Sequence, residues 1–134
     1  MADFFADSFA IIEILKGNPA YHEYGLRNLV TTEFNLCEVA YAMVRDYPDR
    51  SLSILSLIRS MIEIVQTVDS DYIAGANVRL RNNRLKRKFS TIDCLGYVVA
   101  ERLNIPFLTG DREFFEMQNV EFVTYTGSRK AAIS

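Results

Sequence analysis

"IPFLTGDREFF", residues 105–115, is a short apolar run that stops at Thr109-Gly110 and delivers an acid, Asp111. Near the start of the chain, "FFADSFAIIEIL", residues 4–15, does the same, with an apolar run ending at Asp7-Ser8 and a helical pattern behind it. Runs this brief, closed by turn or capping residues, read as buried strands. Strands that give way directly to helices imply a parallel sheet with helices on both faces, an α/β architecture. Ligands of such sheets bind beyond the carboxyl ends of the strands. Asp7 and Asp111 are both expected there, so the fold and the site turn on one question, whether the two acids meet.

The intervening pattern fits. "SFAIIEILKGN" reads as a helix closed by Gly17-Asn18-Pro19, and a second helix starts near Tyr21 and ends before "LVTT". From Thr32 the spacing of Phe34, Cys37, Val39, Ala40, Met43 and Val44 is helical until Asp46-Tyr47-Pro48. "SLSILSLIRS" follows as a short amphipathic helix, and the alternation of "MIEIVQTV" predicts a strand. Asp69-Ser70 opens a helix to about Leu85, with Ile73, Ala76, Val78 and Leu80 available to pack. "STIDCLGYVVAERLN" carries Ile92, Leu95, Gly96, Val99 and Leu103 on one stripe. "IPFLT" is a strand, "DREFFEMQ" a short helix, "VEFVTY" a last strand, and residues 127–134 a small, polar tail expected to be mobile. The expectation is one domain over residues 1–126, a three-layer sandwich whose mainly parallel sheet has about four to five strands.

Composition narrows the class. At 134 residues, with 49% hydrophobic and 24% charged residues, the chain can bury one core and is not a disordered segment. A net charge of −2 means that nucleic-acid binding would need a local basic patch. His22 is the only histidine and is expected at the surface, so no Cys/His metal spacing exists. Cys37 and Cys94 fall in helical stretches and are expected to be buried reduced thiols. Asp3 and Asp7 stand where a signal peptide would be basic, and no apolar run approaches about 18 residues, so a cytoplasmic protein outside the membrane is expected. Phe4, Phe5, Phe9, Phe107, Phe114 and Phe115 read as core; Tyr21, Tyr24, Tyr41 and Tyr47 read as packing residues with wet hydroxyls or as stacking platforms for bases. Neither a Gly-x-Ser-x-Gly elbow nor a glycine-rich phosphate loop is present.

Each acid has a plain alternative. Asp7 and Asp111 are good helix N-caps, Asp93 lies three residues after Ser90 in a capping-box arrangement, and Glu38 is a helical glutamate of the kind usually solvated. Together they point elsewhere. Two sit at strand ends on one sheet edge, Glu38 shares a helix side with Asn35, and Asp93 flanks a buried stripe. Carboxylates gathered without partners repel and raise one another's pKa, so a cation is expected to neutralise them. Oxygen ligands without Cys or His indicate Mg²⁺ or Mn²⁺, ions suited to phosphodiester hydrolysis.

"FFADSFAIIEILKGN", "TTEFNLCEVAY" and "FSTIDCLGYVVAERLNIPFLTGDREFF" resemble the successive acidic motifs of PIN domains, particularly the VapC-type toxin branch, over about residues 3–125. The resemblance implies a PIN-like sandwich, a divalent-metal site formed by Asp7, Glu38, Asp93 and Asp111, and endoribonuclease chemistry on RNA. Ser8, Asn35 and Thr109 match the polar neighbours that orient such acids, and Glu113 stands in for a further acid of the family. A small antitoxin covering the acidic pocket and a homodimer are also implied. "VRLRNNRLKRKF" gathers Arg79, Arg81, Arg84, Lys86, Arg87 and Lys88 just before Asp93, where they could guide RNA or an acidic partner, or serve only as a solvated helix end. Other readings are a PIN-like RNA-processing nuclease without an antitoxin, a PIN domain that only binds protein, and a receiver-like signalling module. The last needs an aspartate ending a central strand and a lysine ending a later one; "MIEIVQTV" and "VEFVTY" supply neither.

Overall fold

The computed structural model describes residues 1–132. Strands β1 (Phe4–Ala6), β2 (Leu29–Thr31), β3 (Glu63–Ile64), β4 (Phe107–Thr109), β5 (Val120–Val123) and β6 (Arg129–Lys130) form one sheet in the order β3-β2-β1-β4-β5-β6. The first five are parallel, and β6 returns antiparallel to β5. Helices α1 (Ser8–Leu15), α2 (His22–Gly25), α3 (Glu33–Asp46), α4 (Ser51–Met61), α5 (Asp69–Arg84) and α6 (Thr91–Arg102) complete three layers.

Strand alternation builds both cores. Phe4, Ala6, Leu29 and Leu108 pack with Ile11, Val39, Met43 and Ile58 of α1, α3 and α4. Phe5, Val30, Phe107 and Val120 face the other way, onto Val78 of α5 and Leu95, Val98 and Val99 of α6. Helix α6 lies against the stacked Phe5–Phe107 pair because Gly96 has no side chain; a Cβ there would meet Phe5 Cε1 at 2.9 Å. Gly75 gives α5 a similar close approach, since a Cβ there would lie 3.3 Å from the Leu95 backbone. Asp71, buried on α5, takes two hydrogen bonds from Arg102 at 2.8 and 2.9 Å and a third from the Val68 backbone N–H. This pair ties one end of α5 to the far end of α6.

Several expectations are corrected. "LVT" is a strand, hidden from pattern reading by its length, and "MIEIVQTV" contributes only the two residues of β3, because Met61 still belongs to α4. The second helix shrinks to a 3-10 turn (Pro19–Tyr21) followed by α2, and "DREFFEMQ" to a 3-10 turn at Arg112–Phe114. Within residues 127–134, Arg129 and Lys130 pair with Val123 and Phe122 as β6; residues 133–134 lie outside the described residues. On α3, Phe34, Cys37 and Val44 are exposed while Asn35 and Leu36 are buried; on α5, Ile73, Ala76 and Leu80 are exposed and Val78 alone of the expected set is buried. Cys94 is buried as expected but Cys37 is not. Phe115 is largely exposed.

Candidate active site

The sheet order makes β1 and β4 neighbours, so the segments leaving their carboxyl ends run side by side. Asp7 is buried there, and the two acids do meet, through one hydroxyl. Thr109 Oγ1 donates to Asp7 Oδ2 at 2.5 Å and accepts from the Asp111 N–H at 3.0 Å. Asp7 Oδ1 accepts from the Ala10 N–H at 2.8 Å, capping α1. Asp111 in turn caps the following 3-10 turn through the Glu113 N–H at 3.0 Å. Capping and site roles therefore coexist: Asp7 caps through Oδ1 and holds Thr109 through Oδ2, while Asp111 caps through Oδ1 alone.

Glu38 enters from α3 along a relay of hydrogen bonds. Thr32 caps α3 and donates to Asn35 Oδ1 at 2.7 Å, which orients the amide so that Asn35 Nδ2 donates to Ser8 Oγ at 3.1 Å. Ser8 Oγ then donates to Glu38 Oε1 at 2.5 Å. With its lone pairs serving Asn35, the Ser8 hydroxyl is left to point its proton at the carboxylate. Thr31 fastens β2 to β1 by donating to the Ala6 carbonyl at 2.8 Å. Thr31 and Thr32 are the residues that reading the sequence did not single out. The Thr-x-x-Asn spacing at a helix start was the available signal for Thr32.

Asp93 comes from the first turn of α6, held by the reciprocal box: Asp93 Oδ2 accepts from the Ser90 N–H at 2.9 Å and Ser90 Oγ from the Asp93 N–H at 3.0 Å. Its charge reaches the other three acids. Burial pushes Asp7 up to about 8, against the pull of Thr109 and the Ala10 N–H and with help from the Asp93 and Asp111 charges. Glu38 is raised by burial, opposed by Ser8 and reinforced by Asp93. Asp111 is raised by burial, opposed by the Glu113 N–H and reinforced by Asp93 and Glu113. Among the described residues, the ion pairs engage Asp3, Asp46, Glu33, Glu116, Asp71 and Glu23, and none of these four acids. Glu38 Oε2, Asp93 Oδ1 and Asp111 Oδ2 take no hydrogen bond from any described residue.

The donor set suits a hard cation: oxygen only, uncompensated, with Glu38, Asp93 and Asp111 each fixed through one oxygen and Asp7 through both. Among the described residues no three acid, histidine or cysteine groups are spaced to grip a metal ion directly. An ion here would keep water in its shell, as Mg²⁺ commonly does.

Glu113 Oε2 accepts from the Lys88 N–H at 3.1 Å, strapping the basic loop to the turn that carries Asp111. Arg79, Arg81, Arg84, Lys86 and Lys88 are exposed. Arg79 donates to Thr91 Oγ1 at 2.6 Å at the mouth of α6, whereas Arg87 is committed to Asn82 at 2.8 Å and Glu116 at 3.3 Å. Tyr21 and Tyr24 are buried, which removes them as stacking platforms; Tyr41 is exposed, and so is His22.

Residues 4–120 match the PIN domain family, and the chain belongs to it. Among solved structures it is similar to the Sarcin-Ricin loop cleaving toxin VapC20 of Mycobacterium tuberculosis, with a TM-score of 0.74 and 15% identity over 96% of this chain and 100% of that one. DNA-bound VapBC from Salmonella typhimurium aligns with a TM-score of 0.73 and 18% identity over 93% and 99% of the two chains. VapBC-5 of M. tuberculosis, from a family of toxin-antitoxin systems, gives 0.62 and 19% over 92% and 99%. At such identities the likeness is one of fold. No curated protein matches the sequence. The receiver-like alternative falls with the family assignment. Among the described residues no helix is long and apolar enough to cross a membrane.

Proposed function

We propose that the protein is a Mg²⁺- or Mn²⁺-dependent endoribonuclease and the toxin of a VapBC-type toxin–antitoxin pair, acting in the cytoplasm. The observation that carries this reading is the set of four acids, Asp7, Glu38, Asp93 and Asp111, brought to one sheet edge with no cationic partner among the described residues. Asp7, Glu38, Asp93 and Asp111 would hold the ion directly or through water. When bound, the ion would supply activation of water and relief of the charge that develops on the phosphate. Thr109 keeps Asp7 and Asp111 in register, and the Thr32–Asn35–Ser8 relay keeps Glu38 turned inward. Arg79, Arg81, Arg84, Lys86 and Lys88 offer the phosphate backbone a cationic approach to a pocket that would otherwise repel it.

The toxin role is supported by the likeness to VapC20, which cleaves the sarcin-ricin loop, and to toxin–antitoxin assemblies. A small antitoxin covering the acidic edge belongs to the same reading. So does a homodimer, for which the exposed apolar side chains Phe34, Tyr72, Ile73 and Leu80 supply surface; Phe34 and Tyr72 already meet edge to face. The test is cleavage of a mixed structured RNA at low salt with Mg²⁺ or Mn²⁺ against EDTA. Metal-dependent cutting by the antitoxin-free protein, absent in Asp7→Asn, is expected. Cutting that persists in EDTA or in Asp7→Asn would remove the acids from the chemistry.

A further inference from the structure

Gly110 joins the residue that holds Asp7 to the residue that completes the acid set, and its α-carbon is enclosed on three sides. A Cβ placed there would come 2.3 Å from Phe9 Cε1, 2.4 Å from the Val123 carbonyl oxygen and 2.8 Å from the Tyr21 hydroxyl. The three walls come from three separate elements: α1, the end of β5, and the 3-10 turn before α2. Tyr21 organises them. Its ring lies 6.3 Å from that of Phe9, it is fully buried, and its hydroxyl donates to the Val123 carbonyl.

Resting on the nuclease reading, we propose that Tyr21 is a positioning residue of the active site: by fixing the Val123 carbonyl and backing Phe9, it sets where the Thr109–Gly110–Asp111 turn runs, and with it where Asp111 stands relative to Asp7. Tyr21 touches neither carboxylate by hydrogen bond. It acts through the backbone of Gly110, which has no side chain of its own to resist displacement. Shifts of about 1 Å in a catalytic group can cost up to about a hundredfold in rate, so a wall two bonds from Asp111 is well placed to matter.

The contrast that tests this is Tyr21→Phe against Tyr97→Phe. Tyr97, on α6 itself, also donates a hydroxyl to a backbone carbonyl, that of Gln118 at 2.7 Å, so both variants lose one tyrosine-to-carbonyl bond. Two readouts are taken on the full chain. The first is amide hydrogen exchange of Asp111 and Glu113, whose N–H groups bond to Thr109 Oγ1 and Asp111 Oδ1, measured without metal. The second is kcat and KM for RNA with Mn²⁺. Tyr21→Phe should speed exchange at both amides about tenfold beyond Tyr97→Phe and lower kcat about tenfold. KM should hold, because the exposed basic side chains that meet the substrate are untouched. Exchange at Asp111 and Glu113 equal in the two variants overturns the assignment. So does an unchanged kcat in an active enzyme. If the wild type cuts no RNA, the nuclease reading fails by itself and the exchange contrast still decides the role of Tyr21. Should Tyr21→Phe fail to fold, Phe9→Leu, which opens another wall of the same enclosure and keeps the Tyr21 hydrogen bond, is read in its place by the same exchange measurement.

Discussion

Asp7 carries the largest electrostatic liability in the site. Its folded pKa lies above the ordinary carboxylate value, at about 8, chiefly because it is buried. The sign follows directly. Below about pH 4 the carboxyl is protonated whether the chain is folded or not, and it costs nothing. Between about 4 and 8 the unfolded chain releases the proton and the folded one keeps it, so stability falls as pH rises; above the folded value the whole cost is present. Urea unfolding of metal-free protein should accordingly show Asp7→Asn gaining on the wild type from pH 5 to pH 8, by about 3 kcal/mol at the upper end. Adding Mn²⁺ should stabilise the wild type and leave the variant nearly unmoved. Gly110 makes the opposite case, a residue whose replacement harms the fold itself. Gly110→Ala forces a methyl group against the Val123 carbonyl, the Phe9 ring edge and the Tyr21 hydroxyl, and should cost about 2 kcal/mol in the same assay.

At the scale of elements, α5 and α6 are joined by the Asp71–Arg102 pair, with Asp71 buried and Arg102 partly open to solvent. Burial drives the Asp71 pKa upward, but the two Arg102 bonds and the Val68 N–H outweigh it and hold the carboxyl below its usual value. A lowered carboxylate stabilises above its unfolded pKa and loses that contribution as pH falls through the folded one. Arg102→Met strands the acid and should cost about 2 kcal/mol at pH 7. The difference from wild type should shrink below about pH 4, as urea midpoints across pH would show.

Much of the element order was legible because short apolar runs ended at caps. The acids were legible because strand ends and helix starts are where Asp carries extra meaning. Two strands escaped for physical reasons. "LVT" is three residues pressed between a polar loop and the Thr32 cap, and Arg129–Lys130 is two exposed charged residues with no apolar pattern to announce a strand. The helix faces were harder. Asn35 is buried because it spends its amide on Ser8 and Thr32, so α3 turns Leu36 and Val39 inward and leaves Phe34 and Cys37 outside. Apolar spacing cannot reveal that a polar side chain has claimed the inner face. Spacing from Asp111 likewise says nothing of the loop 25 residues earlier whose Lys88 N–H bonds to Glu113 Oε2.

Over the whole molecule, the chain end serves as a fastening. Arg129 pairs with Glu23 and lies over the Tyr24 ring at 5.3 Å, Tyr24 donates to Glu121 at 2.7 Å, and Asn18 donates to the Tyr125 carbonyl at 2.9 Å. These contacts bind the β5–β6 hairpin to the segment around α2. Removing residues 127–134 should lower stability by about 1 kcal/mol, since most of the lost contacts are exposed. It should leave the Asp7–Thr109 bond intact, which paired thermal melts and metal-titration curves would report.

The adjacency of β1 and β4 bears on the order in which the protein is made. Asp7 is synthesised 102 positions before the hydroxyl that holds it. Until then the central strand has one edge open and its acid has no Thr109. A chain whose synthesis stops between Glu38 and Asp93 therefore carries only two of the four acids, Asp7 and Glu38.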